Sequence, residues 1–147
     1  MKKTILVTGG TGFIGSHTTV ELQAAGYEVV IIDNLSNSKA EVVEGIEKIS
    51  GVRPAFEQVD CCDLPALEGV FQKYPGIEGI IHFAASKAVG ESVEQPLKYY
   101  ENNLLSLINL LKLMPKYNVK GIIFSSSCTV YGQPDAKDLP VSEQAPI

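Results

Sequence analysis

Thr4-Ile5-Leu6-Val7-Thr8-Gly9-Gly10-Thr11-Gly12-Phe13-Ile14-Gly15 carries a short apolar run straight into glycines spaced three apart, at Gly9, Gly12 and Gly15. The spacing reads as strand, tight turn and helix. The turn has to be sharp, the backbone has to approach an anion with no Cβ between them, and the helix has to pack closely on the strand. A pyrophosphate would then rest on the unpaired N–H groups of the helix N-terminus. A glycine triplet alone is a weak signal, because glycine turns are common. The strand before it and the helix after it give this one its weight.

Outward from that turn, short apolar runs alternate with longer amphipathic stretches, the mark of repeated βαβ units. Strands are expected at Thr4 to Val7, Glu28 to Ile32, Ala55 to Gln58, Gly79 to Phe83 and Gly121 to Phe124. Their nearly continuous apolar character suits strands covered on both faces. Helices are expected at Gly12 to Ala25, with Ile14, Leu22 and Ala25 on one face, and at Lys39 to Ile49, with Val42, Val43, Ile46 and Ile49 inward. A third spans Leu64 to Tyr74, and the longest spans Pro96 to Met114, where Leu97, Tyr100, Leu104, Leu107, Leu111 and Met114 recur at helical steps before Pro115 stops it. From Ser125 to Ile147 the pattern dissolves into a long loop punctuated by Gly132, Pro134, Pro140 and Pro146. The fold class is therefore α/β, a Rossmann-type doubly wound parallel sheet of about five strands in the order 3-2-1-4-5.

The second strand ends at Asp33, 18 residues beyond Gly15. A dinucleotide site places there the carboxylate that accepts hydrogen bonds from the adenosine ribose. An acid at that point repels a 2′-phosphate, and Asn34 to Ser38 hold no arginine to attract one, so NAD is favoured over NADP. The rival reading, an aspartate that only closes the turn, is the less economical one after such a glycine loop. Asp60, at the end of the third strand, is open between cofactor contact and helix cap.

Composition narrows the classes further. With 147 residues, 45% of them hydrophobic and 20% charged, the chain is sized for one soluble core and lacks the profile of disorder. Seventeen acidic against twelve basic residues, without a basic run, argue against a nucleic-acid partner. No apolar run reaches the roughly 18 residues of a membrane span, and Ile5-Leu6-Val7 meets glycine too soon for a signal peptide. Cys61, Cys62 and Cys128 are read as reduced thiols of a cytoplasmic protein, with no metal-binding spacing around them. His17 and His82 are read as packing or hydrogen-bonding residues.

The Thr-Gly-x-x-Gly-x-x-Gly turn resembles that of the extended short-chain dehydrogenase/reductase superfamily. Three further blocks sharpen the likeness: Asp33-Asn34-Leu35-Ser36-Asn37-Ser38, His82 to Val93 with its Lys87-Ala88-Val89-Gly90-Glu91-Ser92 core, and Phe124-Ser125-Ser126-Ser127-Cys128-Thr129-Val130-Tyr131-Gly132. Together they are similar to the UDP-glucose 4-epimerase family, along essentially the whole chain. The resemblance implies an NAD-dependent isomerase of galactose metabolism that interconverts UDP-glucose and UDP-galactose through a 4-keto intermediate. It implies contacts to NAD from Gly9, Gly12, Phe13, Ile14 and Gly15 at the pyrophosphate, and from Asp33, Asn34, Leu35, Ser36, Asn37 and Ser38 at the adenosine. Asp60 and Cys61 would flank the adenine. Phe83, Ala84, Ala85, Ser86 and Lys87 would line the cofactor, with Asn102 beside them. Ser127 would be the catalytic hydroxyl next to the sugar's 4-hydroxyl. Related dehydratases carry an Asp-Glu pair where this chain has Ser127-Cys128, which ranks dehydration below epimerisation.

The family's base is a tyrosine followed four residues later by lysine. None of Tyr27, Tyr74, Tyr99, Tyr100, Tyr117 and Tyr131 has a lysine at that spacing. The expectation is that the chain is the N-terminal, NAD-binding portion of a longer epimerase whose substrate domain lies beyond it, and that the 147 residues alone are inactive. A non-catalytic dinucleotide-binding module and another nucleotide-sugar enzyme are the alternatives. Family members commonly pair through the long helix, so a homodimer of the whole protein is also implied.

Overall fold

The computed structural model describes residues 2–126 and 128–145. Ten regular elements follow in order: β1 Thr4–Thr8, α1 Phe13–Ala24, β2 Glu28–Asp33, α2 Val42–Ser50, β3 Ala55–Gln58, α3 Leu64–Lys73, β4 Ile77–His82, α4 Val89–Glu94, α5 Pro96–Lys116 and β5 Gly121–Phe124. The strands form one parallel sheet in the order β3-β2-β1-β4-β5, as the alternation of patterns predicts. Register aligns the carboxyl ends of the strands: Thr8 pairs with Ile32 on one side and His82 on the other, and His82 with Phe124. The ends of β1, β2 and β4 therefore open onto a common border.

Successive side chains of a strand point to opposite faces, so a strand buried on both must be apolar throughout. Leu6, Val30, Ile32 and Ile80 face Leu67 and Phe71 of α3 and Leu110 and Leu113 of α5. Val7, Val29 and Ile31 face Ile46 of α2, with Val20 and Leu22 of α1 packed alongside. Two cores on one sheet explain the unbroken apolar runs.

Several faces differ from expectation. In α1 the buried residues are Gly15 and Thr19, while Ile14 is half exposed, because the first turn packs on the glycine turn through its smallest residue. Ile49 is 75% exposed: the inward stripe of α2 follows Val43 and Ile46, and at about 100° per residue Ile49 falls roughly 90° off its centre. Pro115 lies inside the last turn of α5 instead of ending it, since a proline there forfeits a single backbone bond. The short α4 was not expected. β5 is not covered on both faces: Ile122 packs on the core, but Ile123 is largely and Phe124 half exposed. The segment after β5 holds two 3-10 turns, Cys128–Tyr131 and Ala136–Asp138.

The largest correction concerns α5. Its buried residues are Tyr99, Ser106, Asn109, Leu110 and Leu113, whereas Leu97, Tyr100, Leu104 and Leu111 of the periodic series are exposed. The helix is apolar on two sides, and the sheet takes the side whose polar members find partners. Asn109 Nδ2 donates to the carbonyls of Cys61 and Cys62 at 3.0 and 3.1 Å.

Candidate functional site

The glycine turn is built by close approach. Gly9 adopts φ +66° and its N–H donates to Ile32 O at 2.9 Å, while Gly12 N–H donates to Gly9 O at 3.0 Å. A Cβ on Gly9 would stand 2.8 Å from Ala84 N, and one on Gly15 would overlap Gly9 O and lie 2.8 Å from Gly10 Cα. Behind this turn α1 begins with no side-chain cap from Gly12 and no acid in its first turn. By contrast, Asp63 caps α3 by accepting from Ala66 N–H at 3.1 Å. The leading N–H groups of α1, at Phe13 and Ile14, have no intrahelical acceptor, and both residues are exposed. A helix terminus left open in this way attracts an anion.

At the end of β2 the Asp33 carboxylate gathers the neighbouring loops. Oδ1 accepts from Leu35 N–H and the Ser38 hydroxyl, both at 3.0 Å, and Oδ2 accepts a longer bond from Thr11 N–H at 3.3 Å. The hydroxyls of Thr11 and Ser38 lie 2.7 Å apart, so the glycine turn and the segment after β2 are locked together. Leu35 takes φ +60° within that segment. Asn34 Nδ2 donates to Asp60 Oδ2 at 3.0 Å, and Cys62 N–H to Asp60 Oδ1 at 2.8 Å. Burial works to raise the Asp60 carboxyl, but the hydrogen bonds from Asn34 and Cys62 outweigh it and hold it below the usual range. Ser36 N–H closes on Asn34 Oδ1, and Asn34, Ser36 and Asn37 stay exposed.

The third wall follows β4. Phe83 N–H donates to Thr8 O at 3.1 Å, Ala84 N–H to Thr8 Oγ1 at 3.2 Å, and Thr8 Oγ1 lies 2.6 Å from His82 Nδ1. Both Thr8 and His82 are buried, and desolvation pushes the imidazole down to about 4, so it is neutral at pH 7. Ser86 exchanges two hydrogen bonds with the side chain of Asn103. Ala85 and Lys87 are exposed on this loop. Asn102 is half-buried, with its amide on Asn103 Oδ1 at 2.9 Å and its carbonyl accepting from Cys62 Sγ at 3.5 Å.

Contacts thus draw the sequence-predicted residues to one edge: Gly9 against Ala84, the glycine turn against Asp33 and Ser38, Asn34 against Asp60, and Asn102 beside the Ser86 loop. Two need separate comment. The Cys61 side chain is a core residue, and burial pushes its thiol up to about 12, which leaves its main chain as the part near the edge. Cys62 is likewise raised by burial, to about 11, so neither thiol is ionised near neutral pH. Ser127 lies outside the described residues. Thr8, Thr11 and Asn103 were not singled out from sequence, although an asparagine inside a helix is a signal in itself, being a poor helix former without a partner. Among the described residues no group of three His, Cys, Asp or Glu is placed to hold a metal, and no helix is long and apolar enough to cross a membrane.

A cleft of about 430 Å³ lined by Lys2, Gln23, Tyr27, Arg53 and Lys73 opens at the opposite edge of the sheet, by the strands' amino ends. Arg53 and Lys73 there already pair with Glu47 and Glu57.

A doubly wound sheet takes a dinucleotide across the carboxyl ends of its strands when the first βαβ unit offers an open helix N-terminus and a carboxylate on the next strand. This chain has the architecture of the dinucleotide-binding α/β domains, and its glycine cradle, open N–H groups and Asp33 fit such a cofactor. It belongs to the NAD dependent epimerase/dehydratase family, whose model matches residues 5–147. It is 54% identical over 145 residues to the UDP-glucose 4-epimerase of Schizosaccharomyces pombe, covering 97% of this chain and 41% of that protein. The Bacillus subtilis UDP-glucose 4-epimerase is 52% identical over 143 residues, again 97% of this chain and 41% of the relative. The structure of UDP-glucose 4-epimerase from Bifidobacterium longum in complex with NAD+ and UDP superposes with a TM-score of 0.91 at 50% identity, over 98% of this chain and 42% of that one. The chain spans about two fifths of the length of the curated relatives it matches.

Proposed function

We propose that these 147 residues form the NAD-binding part of a UDP-glucose 4-epimerase, and that the whole protein interconverts UDP-glucose and UDP-galactose by inverting C4 of the hexose. One observation carries the reading: about half-identity to such epimerases along nearly the whole chain, together with a single contact network that joins the glycine turn, Asp33 and the loop after β4. When bound, NAD supplies a two-electron acceptor that takes the C4 hydride and gives it back, with no net redox change.

The chain's own residues bind and orient. Open N–H groups at Phe13 and Ile14 receive the pyrophosphate, with Gly9, Gly12 and Gly15 clearing the approach. Asp33 accepts from the adenosine ribose and disfavours a 2′-phosphate, and Asn34 to Ser38, Asp60 and the Cys61 main chain frame the adenosine. Phe83 to Lys87 line the inner half of the cofactor, Lys87 reaching the nicotinamide ribose, and Asn102 adds a polar contact. Ser127 stands by the sugar's 4-hydroxyl. Removing that hydroxyl's proton near pH 7 needs a group of lowered pKa. No tyrosine of this chain has the lysine that would lower it, so the reading assigns the base to sequence outside the 147 residues.

The further parts of the reading have their own support. Self-association of the whole protein is supported by the exposed stripe Leu97, Tyr100, Leu104, Ile108 and Leu111 along α5. The acidic balance supports the absence of a nucleic-acid partner, and the free thiols of Cys61 and Cys62 support the cytoplasm as its compartment, with no membrane partner. The test is an assay of the whole protein with UDP-galactose, expected to yield UDP-glucose without net NADH release. Failure with UDP-hexoses beside good turnover of another nucleotide sugar overturns it.

A further inference from the structure

We propose that Asn103 is a positioning residue for the cofactor, acting by fixing the loop that carries Lys87; the inference rests on the NAD reading above. Asn103 lies in the second turn of α5, 17 residues from the loop it holds. Its Oδ1 accepts from Ser86 N–H at 2.8 Å and its Nδ2 donates to Ser86 O at 2.9 Å. The two bonds pair a side-chain amide with one residue's backbone donor and acceptor, and they fix which way the amide faces, because only one orientation satisfies both. Asn102 Nδ2 donates to the same Oδ1 at 2.9 Å and braces the group from its own helix.

The clamp continues into the buried edge. Ser106 Oγ donates to Asn103 O at 3.2 Å and lies 3.5 Å from His82 Nε2, while His82 Nδ1 meets Thr8 Oγ1, which accepts from Ala84 N–H. The loop after β4 is therefore held at its start by β1 and at Ser86 by α5. Lys87 is the next residue, exposed, and the Cα from which its flexible stem departs is set by the Ser86 peptide. Asparagine is the residue this requires: aspartate keeps the acceptor but puts a carboxylate against Ser86 O, and alanine leaves both backbone groups without partners.

The test is an NMR-monitored titration with NAD of the 147-residue chain, a readout that tolerates weak binding, on the wild type, Asn103→Ala, Lys87→Ala and the double variant. Each single change is expected to weaken NAD about tenfold, and the double variant is expected to bind within twofold of Lys87→Ala, because a clamp has nothing left to place once the lysine is gone. Ser86 amide exchange should accelerate in Asn103→Ala. Asn103→Asp preserves size and reports the same loss should the alanine variant fold poorly. Losses that multiply in the double variant, or unchanged NAD affinity in both Asn103 variants, overturn the inference and leave the NAD reading standing. No saturable response of the wild type overturns both.

Discussion

Replacing glycine by alanine in three helices of this chain should change stability in opposite directions. In a helix interior the substitution stabilises by about 0.5–1 kcal/mol, because alanine loses less backbone freedom on folding. At Gly45 in α2 and Gly69 in α3 a new Cβ has nothing within 4 Å, so that gain should appear undiminished. At Gly15 the Cβ would overlap Gly9 O and lie 2.8 Å from Gly10 Cα, and both obstacles are backbone. A flexible side chain could swing aside, whereas this turn is pinned by Gly9 N–H on Ile32 O and by Gly12 N–H on Gly9 O. Overpacking costs about 1–3 kcal/mol, and a Cβ this close to fixed backbone falls in the upper half of that range, about 2–3, so after the helix gain the net effect of Gly15→Ala is a loss of about 1–2.5 kcal/mol. Urea unfolding at pH 7 reads the difference as a fall in midpoint at constant slope, beside a rise for Gly69→Ala. The same variant should weaken NAD, because the turn must move off α1, while Gly69→Ala leaves affinity unchanged. A Gly15→Ala midpoint at or above wild type, with NAD affinity intact, refutes the close-approach account of the turn.

Other outcomes follow from the same geometry. Asp33→Ala should weaken NAD by about 1.5–3 kcal/mol, the worth of a charge-assisted hydrogen bond, and narrow the preference over NADP; calorimetry with both cofactors reads it, and equal affinities in wild type and variant reduce Asp33 to a turn residue. His82 titrates at about 4 when folded against 6.5 unfolded, so the unfolded chain binds the extra proton between those values. Its contribution is complete above about pH 6.5 and is lost as pH falls through about 4, a span of about 3 kcal/mol. Denaturation across that window should show a steeper loss in wild type than in His82→Gln, and parallel profiles would contradict the assignment. Leu104→Lys, at the middle of the exposed α5 stripe, should convert a self-associating whole protein to monomer in sedimentation, and an unchanged mass removes the stripe from the interface. The 147-residue chain by itself should not epimerise UDP-galactose, and turnover by the pure chain would place a base among residues that lack the Tyr-x-x-x-Lys spacing.

Much of the fold is legible in the sequence because a sheet covered on both faces demands unbroken apolar strands, and because Gly9, Gly12 and Gly15 leave few alternatives to a tight strand-to-helix turn. The chain position of Asp33 follows from the same unit. What could not be read is which face of a two-sided helix the sheet takes. Leu97, Tyr100, Leu104 and Leu111 have the better period, yet Ser106 and Asn109 are inside because each finds a partner there, Ser106 the Asn103 carbonyl of its own helix and Asn109 the carbonyls of Cys61 and Cys62 from a distant segment. The open face of β5 escaped for the related reason that periodicity reports a strand's composition and not what packs on it. Asn103 was hidden beside Asn102, since only the folded chain brings Ser86 to it. For Cys61 the resemblance implies a place beside the adenine with Asp60, and only the folded chain shows that its side chain packs in the core.

The most direct test of the central claim is a titration of isotope-labelled chain with NAD, followed by the backbone amides. The account predicts saturable shifts concentrated at Gly12, Phe13, Ile14, the Asp33 to Ser38 segment and Phe83 to Lys87. Shifts gathered instead around Gln23, Tyr27 and Arg53 at the opposite edge, or no saturable shift at all, would contradict it.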